Sequence, residues 1–204
     1  MTKKIITISR EYGSGGRQIG KMAAERLNMG FYDKELIDAA AKEIGFPPEL
    51  IEDREQRLTN SLLYNFAMGA VYGVSYPREP KPSDLPLTEQ IFIAQKKAIE
   101  DAAKQGTCDF IGRCADYILR SRPDVLRVFI YADRDIRKRR AVEEYGVLAE
   151  NADEFMYQND KRRRIHYENY TNQKWGSREN HDLLLNSGDL GIERCVELIC
   201  AAVK

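Results

Sequence analysis

The sequence has no excess of either charge. Lysine plus arginine and aspartate plus glutamate number 32 each, for a formal net charge of +0, so no global field marks a nucleic-acid binder. It also lacks a long apolar run. The longest weakly charged stretch, LTNSLLYNFAMGAVYGVSY at 58–76, carries Asn60, Asn65 and several Tyr and Ser, which is too polar for a membrane span. The opening MTKKIITIS leads straight into a strand and holds no signal-peptide core, so a cytoplasmic location is expected. Cysteine and histidine are scarce. Cys108, Cys114, Cys195 and Cys200 form no CxxC pair and no ligand spacing with His166 and His181, so no metal site is expected from them. They read as small buried thiols, and the single tryptophan, Trp175, reads as packing a loop onto the core.

What is present is an ordinary globular composition: 204 residues and 23.5 kDa, 43% hydrophobic and 31% charged. That length supports one full core with a small inserted subdomain. The pattern predicts strands at 3–9, at Phe31 and Tyr32, in TCDFIGR, in VLRVFIYA and in HDLLLNSG. Between them lie helical patterns: Arg17 to Leu27, a helix capped by Asp33 with Leu36, Ile37 and Ala40 inward, Thr88 to Lys104, DRDIRKRRAVEEYG, and IERCVELICAAVK. Proline clusters, FPPEL and YPREPKPSDLP, bracket a separate region at 46–87. Strands alternating with helices argue an α/β domain with a mainly parallel five-stranded sheet, whose ligands bind beyond the carboxyl ends of the strands.

The first strand runs into SREYGSGGRQIG. Gly13, Gly15 and Gly16 free the backbone so that successive N–H groups, with Ser14 between them, can converge on an anion, and the following helix adds its N-terminal dipole. The phosphate-loop pattern G-x-x-x-x-G-K-[ST] is incomplete. With Gly15 as its second glycine, Gly16 and Arg17 take the Lys and Ser/Thr places; with Gly16, Arg17 and Gln18 take them. The second register is preferred, because a guanidinium pairs with phosphate oxygens bidentately. Read alone, such a turn could equally join strand to helix without a ligand. Gly112 and Arg113 close another predicted strand on the same crevice edge. Two basic clusters, with Arg137 and Arg139 or Arg140 in one and Lys161, Arg162, Arg163 and Arg164 in the other, flank a loop expected at about 147–160. That arrangement suits a lid closing arginines over a polyphosphate.

The segments ITISREYGSGGRQIG, FYDKELI, FIGRCADYIL, VFIYADRDIRKRR, DKRRRIHYENYT and HDLLLNS, in this order, resemble the cytidylate kinase-like family, relatives of the P-loop nucleoside monophosphate kinases. The resemblance implies a P-loop kinase-like three-layer domain over 1–204, an acceptor-binding-type insert at 46–87 and a lid at about 141–165. It implies an ATP- and Mg²⁺-dependent phosphotransferase acting on a nucleoside monophosphate or another small phosphorylated acceptor. Gly13 to Gln18 would hold the nucleotide phosphates with Arg17 in the lysine's role. Asp33, Gly112 and Arg113 would hold the acceptor, and Arg137, Arg140, Lys161, Arg162 and Arg163 would neutralise charge in the closed state. Cys114 replaces the acidic residue after Gly-Arg in cytidylate kinases. Two other classes stand beside this one: a nucleotide-binding regulatory protein that kept the fold, and an interaction protein burying 58–76 in a homodimer interface.

Overall fold

The computed structural model describes residues 3–33 and 85–204. The chain divides into two compact units, residues 1–33 with 99–204, and residues 34–98. The Asp33-capped helix and the insert expected at 46–87 lie, up to residue 84, outside the described residues.

The first unit is built on a five-stranded sheet. Its strands are β1 (Ile5–Arg10), β2 (Gly30–Tyr32), β3 (Cys108–Ile111), β4 (Val125–Tyr131) and β5 (Leu183–Asn186), in the order β2-β3-β1-β4-β5. All four pairings are parallel. A parallel strand in mid-sheet is covered on both faces, so it needs a continuous apolar run rather than alternation. IITIS in β1 comes close to one, with residues 5–9 all buried and only Thr7 and Ser9 polar. Helices α1 (Gly16–Leu27), α2 (Leu87–Gln105), α3 (Ala115–Ile118), α4 (Arg134–Glu143), α5 (Ala152–Thr171) and α6 (Ser187–Val203) complete the described elements. α6 is kinked at Gly191, whose φ is 75°.

The two faces are packed differently. On one, Ile6 and Ile8 of β1 meet Ile19 and Ala23 of α1, Val128 and Ile130 of β4, and Val196 and Ile199 of α6. Each of these Ile and Val side chains contributes roughly 1.5–3 kcal/mol by leaving water. On the other face Phe129 meets the edges of Trp175 and His181, both at 5.3 Å between ring centroids. His181 Nδ1 lies 2.8 Å from the Ser177 carbonyl, and the Tyr167 hydroxyl donates to Asp116 at 2.7 Å. These contacts fix the loop before β5 and the end of α5, which is the packing role expected of Trp175. The cysteines are unbridged.

The loop expected to form a lid is shorter than the charge pattern suggests. Residues 152–160 are helical and belong to α5, leaving a loop of 144–151. Ala152 and Met156 recur four apart on a buried face, and Asp153 and Glu154 in the first turn favour the helix dipole.

The strand order reverses at β1, since β3 lies on one side of it and β4 on the other. In open parallel sheets such a reversal leaves a crevice beyond the strand ends. One feature beneath it is expensive: Asp109 of β3 is fully buried and neither carboxyl oxygen has a hydrogen-bond partner. It faces α1 at Gly20, where a Cβ would lie 3.0 Å from its Oδ2. Burial pushes its pKa well above the usual carboxylate range. The folded state therefore keeps a proton that the unfolded chain loses near pH 4, and stability falls as pH rises from there towards the folded-state value. The Asp109→Asn variant should lack this component, by up to about 1.4 kcal/mol per pH unit in that window. Denaturant unfolding of both proteins from pH 4.5 to 8 checks it; parallel curves would remove Asp109 as the cause.

Candidate active site

Three segments leaving the carboxyl ends of strands line the crevice. β1 continues into Glu11–Gly15, β3 into Gly112–Cys114, and β4 into α4. In the first of these Gly13 and Gly15 have φ of 77° and 75°, the left-handed region that favours glycine. Gly15 is the N-cap of α1 and brings no side-chain acceptor, and the first turn of α1 holds no acidic residue. The first helical bond runs from Ile19 N–H to the Gly15 carbonyl at 2.9 Å. The amides opening α1 thus face the crevice with the positive end of the helix dipole and no side-chain acceptor as a cap, a setting suited to an anion.

The loop is clamped from three helices. A Cβ at Gly13 would lie 2.5 Å from the Arg137 carbonyl, so α4 touches its backbone. A Cβ at Gly15 would collide with Ile192 of α6. The Ser14 carbonyl accepts from Arg140 Nη1 at 3.0 Å and from the Ser187 hydroxyl at 2.5 Å. Arg140 also donates to the Ser187 hydroxyl and carbonyl. From α5, Asp160 accepts the Tyr12 N–H at 2.7 Å and pairs with Arg137 Nη1 at 2.6 Å and Arg163 Nη1 at 3.5 Å. Arg137 further donates to the Tyr12 carbonyl at 3.2 Å and lies 3.4 Å from Glu11. Arg163 donates to the Arg10 carbonyl at 3.2 Å and stands over the Tyr12 ring at 5.6 Å. The ring itself meets Tyr145 and Phe155 edge-on.

The residues singled out from the sequence fall into two groups. Gly13 to Arg17, Arg137, Arg140 and Arg163 come together around the loop. Arg17 is 64% exposed and its Nε pairs with Asp33 at 2.5 Å. Arg113 lies close enough to Arg10 to act on its charge. The backbone that carries it is unusual: Gly112, Arg113 and Cys114 all have positive φ, of 73°, 57° and 56°. Two consecutive non-glycine residues in that region are uncommon and store strain, which tends to collect where a side chain must be held in place. Lys161 and Arg162 instead make contacts along their own helix, with the Tyr157 ring and Asn159, and Gln18 is exposed.

Three residues of the site were not singled out from the sequence. Asp160 and Glu11 are counter-charges to Arg137, across 23 and 126 positions of chain, a pairing no local pattern announces. The third is Arg10, the last residue of β1. Burial, with Arg163, Arg113 and Arg17 nearby, brings its guanidinium down to about 9, and Asp33 opposes the shift. Burial likewise lowers Arg163, against Asp160, and raises the Glu11 carboxyl, against Arg137. A signal for Arg10 was available: in the first loop register it stands at the first glycine of G-x-x-x-x-G-K.

Comparison with known proteins bears on the fold and the family. No curated protein matches the chain significantly. Among solved structures, an uncharacterized protein from Eubacterium ventriosum ATCC 27560 is 26% identical with a TM-score of 0.71, covering 98% of both chains. Shikimate kinase from Bacteroides thetaiotaomicron is 14% identical with a TM-score of 0.54, over 98% of this chain and 97% of that one. Shikimate kinase from Acinetobacter baumannii, solved in complex with shikimate, is 14% identical with a TM-score of 0.52, over 98% and 95%. The kinases share the fold. Residues 5–189 match the cytidylate kinase-like family, from the start of β1 into α6, and the chain belongs to that family.

Proposed function

We propose that this protein is an ATP-dependent kinase of a small phosphorylated acceptor, with nucleoside monophosphates of the cytidylate type as the leading candidates. The observation that carries the reading is the convergence of Arg10, Arg17, Arg113 and Arg163 on the glycine loop at the sheet's switch point. Phosphoryl transfer needs little from a protein beyond positioning and neutralisation of negative charge. Amides at the start of α1 would hold the nucleotide phosphates. Arg163 and Arg137, entering from α5 and α4, would stabilise the charge of the transferring group. Arg113, on its strained turn, and Asp33 would orient the acceptor.

Mg²⁺ is the metal such a transfer uses, and the donor set does not form a cage for it. With Gly15 as the second motif glycine, Arg17 in the first turn of α1 stands where the pattern has its Ser/Thr hydroxyl, and no group of three His, Cys, Asp or Glu able to hold a metal occurs among the described residues. A Mg²⁺ carried on the nucleotide's phosphates and waters is compatible with that.

The altered loop also favours a second reading, a nucleotide-binding regulatory protein without turnover. A coupled assay with ATP against CMP, dCMP, UMP and AMP, run beside ATP-dependent thermal shifts, separates the two. Turnover with at least one monophosphate is expected. The Arg163→Ala variant should lose roughly a hundredfold in kcat or more. A thermal shift without turnover on any acceptor would leave the regulatory reading; neither effect would sink both.

Asp160 gives an independent check. Its carboxylate is the anion now lying between the Tyr12 amide, Arg137 and Arg163. The Asp160→Asn variant should be about 1–3 kcal/mol less stable without ligand. Its ATP-induced rise in Tm should exceed that of the wild type, because incoming phosphates replace the lost charge. An equal or smaller rise in Tm would speak against phosphate binding among these arginines.

A further inference from the structure

The loop lacks the lysine of its pattern, and the structure shows what fills the space. Gly15, left-handed at the N-cap, directly precedes α1, which makes it the second motif glycine and Gly16 the lysine position. No side chain fits at Gly16. A Cβ there would lie 2.5 Å from Cβ and 2.9 Å from Cγ of Arg10. Arg10 stands six residues earlier, where the motif has its first glycine. Its side chain crosses Gly16 and reaches Gly112, where a Cβ would collide with Nη1. The motif's two ends have traded residues: G-x-x-x-x-G-K has become R-E-Y-G-S-G-G.

We infer that Arg10 is the phosphate-binding cation of this loop, entering from the end of β1 to meet the phosphoryl oxygens of a nucleoside triphosphate where other loops use a helix-borne lysine. This rests on the kinase reading and assigns its missing charge. The partners of the neighbouring arginines support it. Arg17 pairs with Asp33, Arg137 with Asp160 and Glu11, Arg140 with Ser14 and Ser187, and Arg163 with Asp160 and the Arg10 carbonyl. The Arg10 guanidinium takes no hydrogen-bond or ion-pair partner among the described residues. It is partly buried beside three like charges, still protonated at neutral pH, and short of counter-charge. A polyphosphate supplies that counter-charge, and the planar guanidinium can engage two of its oxygens at once.

The test uses the full chain and titration calorimetry with ATP and with inorganic tripolyphosphate. The wild type should bind both. Arg10→Gln should weaken tripolyphosphate binding by roughly tenfold to a hundredfold, and Arg10→Lys should keep most of the affinity. Gly16→Lys alone should also bind poorly, because its side chain has no space beside Arg10. Combining it with Arg10→Gly, which removes the colliding Cβ, should recover at least about tenfold over Arg10→Gly alone. Circular-dichroism melts separate lost contact from lost fold. If Arg10→Gln does not fold, Arg10→Lys and the exchanged pair carry the decision. A folded Arg10→Gln that binds like the wild type, or an exchanged pair without recovery, overturns this assignment and leaves the kinase reading standing. A wild type that binds neither ligand overturns both.

Discussion

Four guanidinium groups, those of Arg10, Arg17, Arg113 and Arg163, are held at one end of a parallel sheet, and like charges so placed repel one another. Much of the surrounding architecture contains that repulsion. Asp33 answers Arg17 from the end of β2, and Asp160 answers Arg163 and Arg137 from α5. Glu11 sits against Arg137 from within the loop. The apolar layer of β1, α1, β4 and α6 sets these elements in place before any charge is considered. The site is thus kept in tension by packing and left with positive charge to spare, the condition under which an anion is gained rather than tolerated.

The fold was largely legible in the sequence, for a physical reason. A buried parallel strand is mostly apolar along its length, and IITIS, CDFI and VLRVFIY advertise themselves by their Ile, Val, Leu and Phe despite Thr7, Ser9, Asp109 and Arg127. All five strands were visible, β2 and β5 as short segments between helical patterns. The loop between α4 and α5 was less so. A run of Arg and Lys looks like a loop edge in one dimension, whereas the four-residue recurrence of Ala152 and Met156 carries α5 through it.

The glycine loop of the candidate site was legible, and the contacts that support it were opaque. Glycines announce a loop because few other residues adopt its backbone. The salt links of Asp160 and the clasp of Ser187 on Ser14 join residues far apart in sequence, and no local pattern encodes them. Arg10 is a different case. Reading the motif from its lysine directs attention to residues 16 and 17, while the space itself is filled from residue 10. Steric exclusion between two backbone-adjacent positions, rather than similarity at either one, links them.

The clasp between the loop and α6 also bears on how the site comes into being. The Ser187 hydroxyl that binds the Ser14 carbonyl is separated from it by 173 positions, and Ile192 backs Gly15 from the same helix. During synthesis the glycine loop leaves the ribosome early and waits for its clasp. At the usual pace of chain elongation that wait lasts roughly ten to thirty seconds. Through it the nascent chain carries the loop's residues without the contacts that hold their geometry, so the loop's final shape arrives only with α6.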